Sequence, residues 1–297
     1  MTLAATTDTR ALPALVAGAV LIGLAPIFVR LADVGPSAVA FWRLALALPL
    51  LIPLWLLWGR PSPQRTPSAG AAALPWGLLL GGLFFAGDLA VWHQSLHWTT
   101  VANSTLLTNL APVWVTLIAW QFFRERIGLG FLIGLMLTLA GAVVLMADSL
   151  QVSRQTVLGD LLAVITSLFY AGYLLVLSRS RAQHSTLAVM VWTTAAAALA
   201  VLPLAWFAPQ PFWPQSAEGW SVVLGLALLS HVCGQGLIAY GFAHLPASFS
   251  AVSLLVQPVA AAVFAWLLLS EAFGPQQALG GAIVLGGILL CRRTMSR

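Results

Sequence analysis

The sequence predicts an all-α polytopic membrane protein, with ten transmembrane helices arranged as two five-helix halves inserted in opposite senses. Three observations lead there: an apolar composition, the placement of the arginines, and an internal repeat with an offset of 146 residues.

The chain of 297 residues is 60% hydrophobic and 7% charged, with a mean hydropathy of +0.95. Soluble domains carry about 25% charged residues, and a monomer of this size has too much surface to hide so many apolar side chains from water. Lipid accepts that surface. The net charge of +5 does not indicate nucleic acid, because all 13 basic residues are Arg and lie singly or in pairs at segment ends. No basic face forms, so nucleic acid is not an expected partner. Cys233 and Cys291 both sit in apolar stretches, which implies neither a disulfide framework nor a metal cluster.

A span needs roughly 20 mostly apolar residues. Breaks at Gly, Pro and charged clusters divide the chain into Leu12–Val29, Pro36–Trp58, Leu74–Leu96, Val101–Phe123, Ile127–Ala147, Val157–Leu177, Leu187–Phe207, Trp220–Tyr240, Ala247–Leu269 and Pro275–Cys291. The polar segment Met1 to Arg10 has no basic n-region or early cleavage site, so the first apolar stretch reads as a retained helix and not a signal peptide. With the N-terminus inside, ten arginines (10, 60, 65, 124, 126, 179, 181, 292, 293 and 297) fall on the cytoplasmic side. Arg30 and Arg154 fall outside, and Arg43 lies within the second span near its outer end. This is the positive-inside bias, and it places both termini in the cytoplasm.

Shifting the chain by 146 residues aligns Pro112-Val113 with Pro258-Val259 and Ala119-Trp120 with Ala265-Trp266. It also aligns Glu125, Gly128, Gly134, Leu139 and Gly141 with Glu271, Gly274, Gly280, Leu285 and Gly287. These are nine identities across positions 112–141, where apolar composition alone would give roughly three or four. Five spans per half is an odd number, so the halves, 1–148 and 149–297, must be inverted relative to one another. Inverted repeats with a midplane site are a recurring design of secondary transporters.

The stretch Ser95-Leu-His-Trp-Thr-Thr-Val-Ala-Asn-Ser-Thr-Leu-Leu, continuing through Asn109-Leu-Ala-Pro112, Ala119-Trp120 and Glu125-Arg126, resembles the EamA-type signature of the drug/metabolite transporter superfamily. His244-Leu-Pro-Ala-Ser-Phe-Ser through Gln257-Pro258, Ala265-Trp266 and Ser270-Glu271 resembles a second copy. The resemblance spans the whole chain and is strongest to bacterial exporters of amino acids, aromatic ones in particular. It implies ten helices in an inverted 5+5 repeat around a central cavity. It carries no fixed catalytic set to transfer.

An ionisable residue inside a span is costly and therefore a functional candidate. Asp88 shares a helical face with Trp92 and Ser95; it suits a substrate ammonium or a coupled proton, or it is a structural partner of Arg43. His93 points away from that face and is a weaker proton-coupling candidate. His231 and Gln235 lie four residues apart and could bind a carboxylate or move a proton, or merely link helices. Pro112 and Pro258 each free a backbone carbonyl one turn earlier, as in broken transporter helices. Thr105, Asn109 and Pro112 form one polar stripe, and Ser250, Ser253 and Gln257 another. Tyr170 and Tyr173, one turn apart in the sixth span, offer aromatic faces and hydroxyls. Glu125 and Glu271 precede helices and read as structural carboxylates acting on those helices' dipoles. The glycines of the fifth and tenth spans would permit close helix packing, with an interface between protomers as one option.

The expected cargo is a small organic solute, above all a neutral or aromatic amino acid, moved by alternating access by a monomer or homodimer. The alternatives are other solutes, such as drug-like cations or phosphorylated metabolites. Phosphate recognition wants several cations, and only Arg43 is available in a span. Catalysis would need a nucleophile with a base, paired aspartates or an HExxH metal motif, and the sequence shows none of these. No cofactor and no metal site are implied.

Overall fold

The structure, a computed structural model, describes residues 8–59, 76–95, 98–147, 156–180 and 184–295. Among them, nine helices are long and apolar enough to cross a membrane, and Trp76–Ser95 adds a further apolar helix of 20 residues. The sixth, seventh and tenth spans are the single helices α9 (Val157–Ser180), α10 (Thr186–Trp206) and α15 (Pro275–Met295); the third and fifth are α5 (Trp76–Ser95) and α8 (Leu129–Met146).

The other spans are discontinuous. The first is α1 (Ala11–Ile22) with α2 (Ala25–Leu31), and the second is α3 (Pro36–Ala45) with α4 (Leu48–Trp58). The fourth is α6 (Val101–Thr108) with α7 (Ala111–Phe123), and the ninth is α13 (Ala247–Ser253) with α14 (Val256–Leu269). One rule accounts for all four breaks. A proline removes an N–H and collides with the carbonyl four residues before it. Counting back four from Pro26, Pro49 and Pro112 gives Ile22, Ala45 and Thr108, the last residues of α1, α3 and α6; from Pro258 it gives Leu254, the residue after α13. The eighth span differs: α11 (Ala217–Gly225) passes through a π-helical stretch, Leu226–Gln235, into α12 (Gly236–His244). Its widened turns put His231 and Gln235 where a regular helix would not. Such turns concentrate at functional sites.

The two halves echo each other at the 146-residue offset. Arg124 and Ser270 are the two non-glycine residues of positive φ, at 56° and 55°, among those described. Each ends its helix in the left-handed conformation. Each is followed by a glutamate whose N–H donates back to an alanine carbonyl, Glu125 to Ala119 at 3.1 Å and Glu271 to Ala265 at 3.3 Å.

Glu125 does not serve the helix that follows it. Its carboxylate accepts from the backbone N–H of Ala247 at 2.8 Å and of Ser248 at 3.3 Å, and from the Ser248 hydroxyl. It therefore caps α13, across the repeat boundary. Glu271 pairs with Arg30 instead. Contrary to the dipole reading, neither carboxylate therefore serves the helix that follows it: Glu125 bonds the start of α13 and Glu271 bonds Arg30.

Helices α8 and α15 pack against each other through Gly134, Gly141, Gly280 and Gly287. A Cβ on Gly280 would lie 2.4 Å from the Leu145 backbone N, and one on Gly141 2.6 Å from the Val284 backbone N. The close approach expected of these glycines is thus made within one chain, and they are not left over for a second protomer. Gly280→Val is expected to destabilise the fold by about 3 kcal/mol, because the opposing atoms are backbone and cannot move aside. Reversible unfolding in a mixed-micelle titration checks this; a midpoint equal to wild type would refute the intramolecular packing. The lipid side of the bundle is apolar, with Leu129, Met136, Leu199 and Phe207 all more than 60% exposed.

Candidate functional site

A cavity of about 160 Å³ lies where the broken helices meet, walled by α1, α2, α3, α5, α6, α9, the π-helical stretch and α14. That is room for roughly five waters or one small organic molecule. Its lining reaches Val29 near the end of α2 and Trp92 near the end of α5. In the other direction it stops at Asn109 and Gln257. Beyond these, Pro112, Leu174, Ala251 and Leu254 enclose only about 10 Å³, and past them Glu125 seals α7 to α13.

The helix breaks deliver the polar lining. Arg43 stands in the last turn of α3, where the unpaired carbonyls favour a cation. Asn109 is the residue after α6, and Gln257 lies in the first turn of α14. Asp88 comes from the middle of α5, with a relative exposure of 9%. Arg43 and Asp88 line the same cavity, yet the one ion pair within 4 Å among the described residues joins Arg30 to Glu271. The two charges of the cavity act on each other electrostatically without touching. Three buried nitrogen donors of the lining, Arg43 Nε, Asn109 Nδ2 and Gln257 Nε2, have no hydrogen-bond partner. The Gln257 amide stands beside Tyr170 without completing a bond.

Behind the cavity wall stands an aromatic layer. Phe85 lines the cavity on one side and stacks on Tyr173 at 4.6 Å and on His231 at 5.8 Å on the other. The Arg43 guanidinium lies 5.8 Å from the centre of the same ring, within the range of a cation–π contact. Tyr173 is fully buried and its hydroxyl oxygen accepts from Gln235 Nε2 at 3.0 Å. His231 Nε2 is 2.8 Å from the Thr194 hydroxyl, while its Nδ1 is buried without a partner.

The structure therefore separates the candidates that the sequence grouped. Asp88, Trp92, Asn109, Tyr170, Gln235, Gln257 and Pro258 line the cavity. Tyr173 and His231 do not; they stand behind Phe85, because the sixth span turns only one of its two tyrosines inward and the π-turns rotate His231 toward α10. Pro112 is buried on the closed side, against the small void. Its repeat mate Pro258 faces the cavity, so the two prolines are equivalent in sequence and not in exposure. Ser250 and Ser253 are fully buried within α13 and are not part of the lining. Ser95, on the Asp88 face, is bonded to the Trp92 carbonyl at 2.7 Å and to Ser104 at 2.5 Å. His93 lies on α5 with its side chain outside the described residues.

Sequence reasoning placed Arg43 near the outer end of its span and Phe85 nowhere. The signal for Arg43 was available: a lone cation six residues before Pro49 sits at the C-terminal end of a helix that Pro49 must break. Phe85 carried no signal, being one apolar residue in an apolar run.

The comparisons with known proteins follow this architecture. Residues 9–147 and 157–293 each match the EamA-like transporter family. An uncharacterized transporter of Archaeoglobus fulgidus is 26% identical over 276 residues, 89% of this chain and 91% of that one. The pseudopaline exporter CntI of Pseudomonas aeruginosa is 24% identical over 217 residues, 73% of this chain and 75% of its own. A probable terminal-alkyne amino-acid exporter of Streptantibioticus cattleyicolor is 26% identical over 219 residues, covering 71% and 72%. One solved structure superposes with a TM-score of 0.82 at 20% identity, over 97% of this chain and 99% of that one; it shares the fold. Two matches in tandem, on a bundle of membrane-spanning helices built around a polar cavity, place the chain in the EamA-like transporter family.

Proposed function

We propose that the protein exports small organic metabolites, neutral and aromatic amino acids first among them, by alternating access through the cavity. The moving bodies are the two five-helix halves, 1–148 and 149–297, in a bacterial inner membrane with both termini in the cytoplasm. A relative named as a pseudopaline exporter supports export of a small molecule, and one named as a probable terminal-alkyne amino-acid exporter supports an amino-acid cargo.

The observation that carries the mechanism is the unequal use of two equivalent glutamates. Glu125 seals one end by capping α13 through residues 247 and 248. Subtracting 146 from 271, 247 and 248 gives 125, 101 and 102, so the mirror-image seal would be Glu271 capping α6 at Val101 and Ala102. Glu271 pairs with Arg30 instead, and the cavity reaches towards that end. Two seals related by the repeat, only one of them made, is what a transporter caught on one side of its cycle requires. In the opposite state Glu271 would cap α6 and Glu125 would release α13.

Proteoliposomes loaded with labelled phenylalanine or tryptophan should show saturable flux. Flux no greater than that of empty vesicles, across a panel of amino acids, would remove the reading. An imposed pH gradient in the same vesicles is expected to change the wild-type flux, and Asp88→Asn to abolish that change; a gradient response preserved in the variant would take proton coupling away from this carboxylate.

A further inference from the structure

The two charges of the cavity present a problem that the protein alone does not solve. A cation and an anion in one low-dielectric site gain strongly by pairing, and each is costly when left alone. Yet Arg43 and Asp88, on α3 and α5, make no ion pair and no hydrogen bond within the described residues. Three nitrogen donors, Arg43 Nε, Asn109 Nδ2 and Gln257 Nε2, are buried and unsatisfied around the same space. Donors in that number call for an acceptor with several lone pairs, and a carboxylate has about four. Asp88 offers acceptors only, so its partner must bring N–H donors and positive charge.

Each single-charge ligand leaves part of this unmet. An organic cation would satisfy Asp88 but leave the Arg43 charge and the free donors buried and unpaired. A phosphate ester would satisfy the donors but bring its negative charge up against Asp88. We propose that the site is bipolar: Arg43, with Asn109 and Gln257, receives the α-carboxylate of an amino acid, and Asp88 receives its ammonium. The cargo's side chain lies against Phe85, Trp92 and Tyr170, aromatic faces that fit an apolar or aromatic residue. Arg43 is the specificity-determining residue of this arrangement, since its fork can take both carboxylate oxygens at once. The inference rests on the reading of the cavity as the cargo site.

The test uses the reconstituted full chain and three probes of equal aromatic bulk: phenylalanine, 2-phenylethylamine, which lacks the carboxylate, and 3-phenylpropionate, which lacks the ammonium. In wild type the two analogues should inhibit labelled phenylalanine flux about 100-fold less well than unlabelled phenylalanine, as buried polar groups reject ligands that leave them unpaired. Arg43→Gln should weaken phenylalanine by a similar factor and change phenylethylamine less than about threefold; Asp88→Asn should do the reverse, sparing phenylpropionate. Arg43→Lys keeps the charge without the fork and should fall between. Analogues that compete as well as phenylalanine in wild type, or an Arg43→Gln protein that weakens all three probes alike, would overturn the inference. Should Arg43→Gln fail to fold, the analogue competition in wild type decides alone. A wild type that moves no amino acid removes the transport reading itself, whereas phenylalanine flux indifferent to Arg43→Gln removes only the bipolar site.

Discussion

Glu125→Ala should open the end of the molecule that is now sealed. The wild-type carboxylate accepts two backbone N–H groups of α13 and one hydroxyl, and a charged cap at a helix start contributes on the order of 1–2 kcal/mol. Two kilocalories correspond to roughly a 30-fold change in a two-state ratio. The expected result is that a cysteine placed at Ala251, which borders the small closed void, reacts with a water-soluble maleimide at least about tenfold faster in the Glu125→Ala background. Cys233 and Cys291 would be replaced first, so that only the probe reports. Glu271→Ala should leave the rate at position 251 unchanged or lower it, because in this conformation Glu271 holds Arg30 and not α13. Equal labelling of Ala251→Cys with and without Glu125 would show that the cap does not hold this end shut, and the exchange of seals would go with it.

Phe85→Ala is expected to cost more in stability than the loss of any charged lining residue. The ring is 3% exposed and fills the space between the cavity and the Tyr173–His231 layer. Truncation of a buried phenylalanine costs about 3–5 kcal/mol through lost burial and an unfilled hole. It also removes the surface over which Arg43 lies, so phenylalanine flux should fall together with the unfolding midpoint. Phe85→Leu should recover most of the stability and little of the flux, since an aliphatic side chain fills the hole but has no π face for the guanidinium. A Phe85→Ala protein as stable as wild type would mean that the aromatic layer is not what supports the wall. A Phe85→Leu protein with full flux would mean that the ring's face does not matter to the site.

Much of the architecture was legible in the chain because the membrane imposes it. Lipid has no hydrogen bonds to offer, so each crossing must be helical, and a crossing has a fixed length. Composition and breaks therefore set the spans: the eighth, read as Trp220–Tyr240, is found as Ala217–His244, and the third, read as Leu74–Leu96, as Trp76–Ser95. Pro112 and Pro258 announced two of the discontinuities through a local rule, a missing N–H and a clash four residues back. The breaks before Pro26 and Pro49 were not read, and Pro53 and Pro203 lie within unbroken helices. The repeat was likewise visible, down to the paired glutamates.

Which side chains face one another was decided only by the tertiary structure. Asp88, Asn109, Tyr170 and Gln257 were singled out because a polar group in a span is conspicuous. Polarity alone could not separate those that line the cavity from Tyr173 and His231, which stand behind Phe85 bonded to Gln235 and Thr194 respectively. The π-helical turns that set His231 have no sequence signature at this length. Phe85 was invisible because an apolar residue in an apolar helix says nothing about its neighbours. Pro112 and Pro258, alike in sequence, differ in the structure because different helices surround them: Pro258 faces the cavity and Pro112 the small closed void. Local covalent and hydrogen-bond rules are written in the chain; the choice of partner across helices depends on the packing of the whole bundle, and there the site is made.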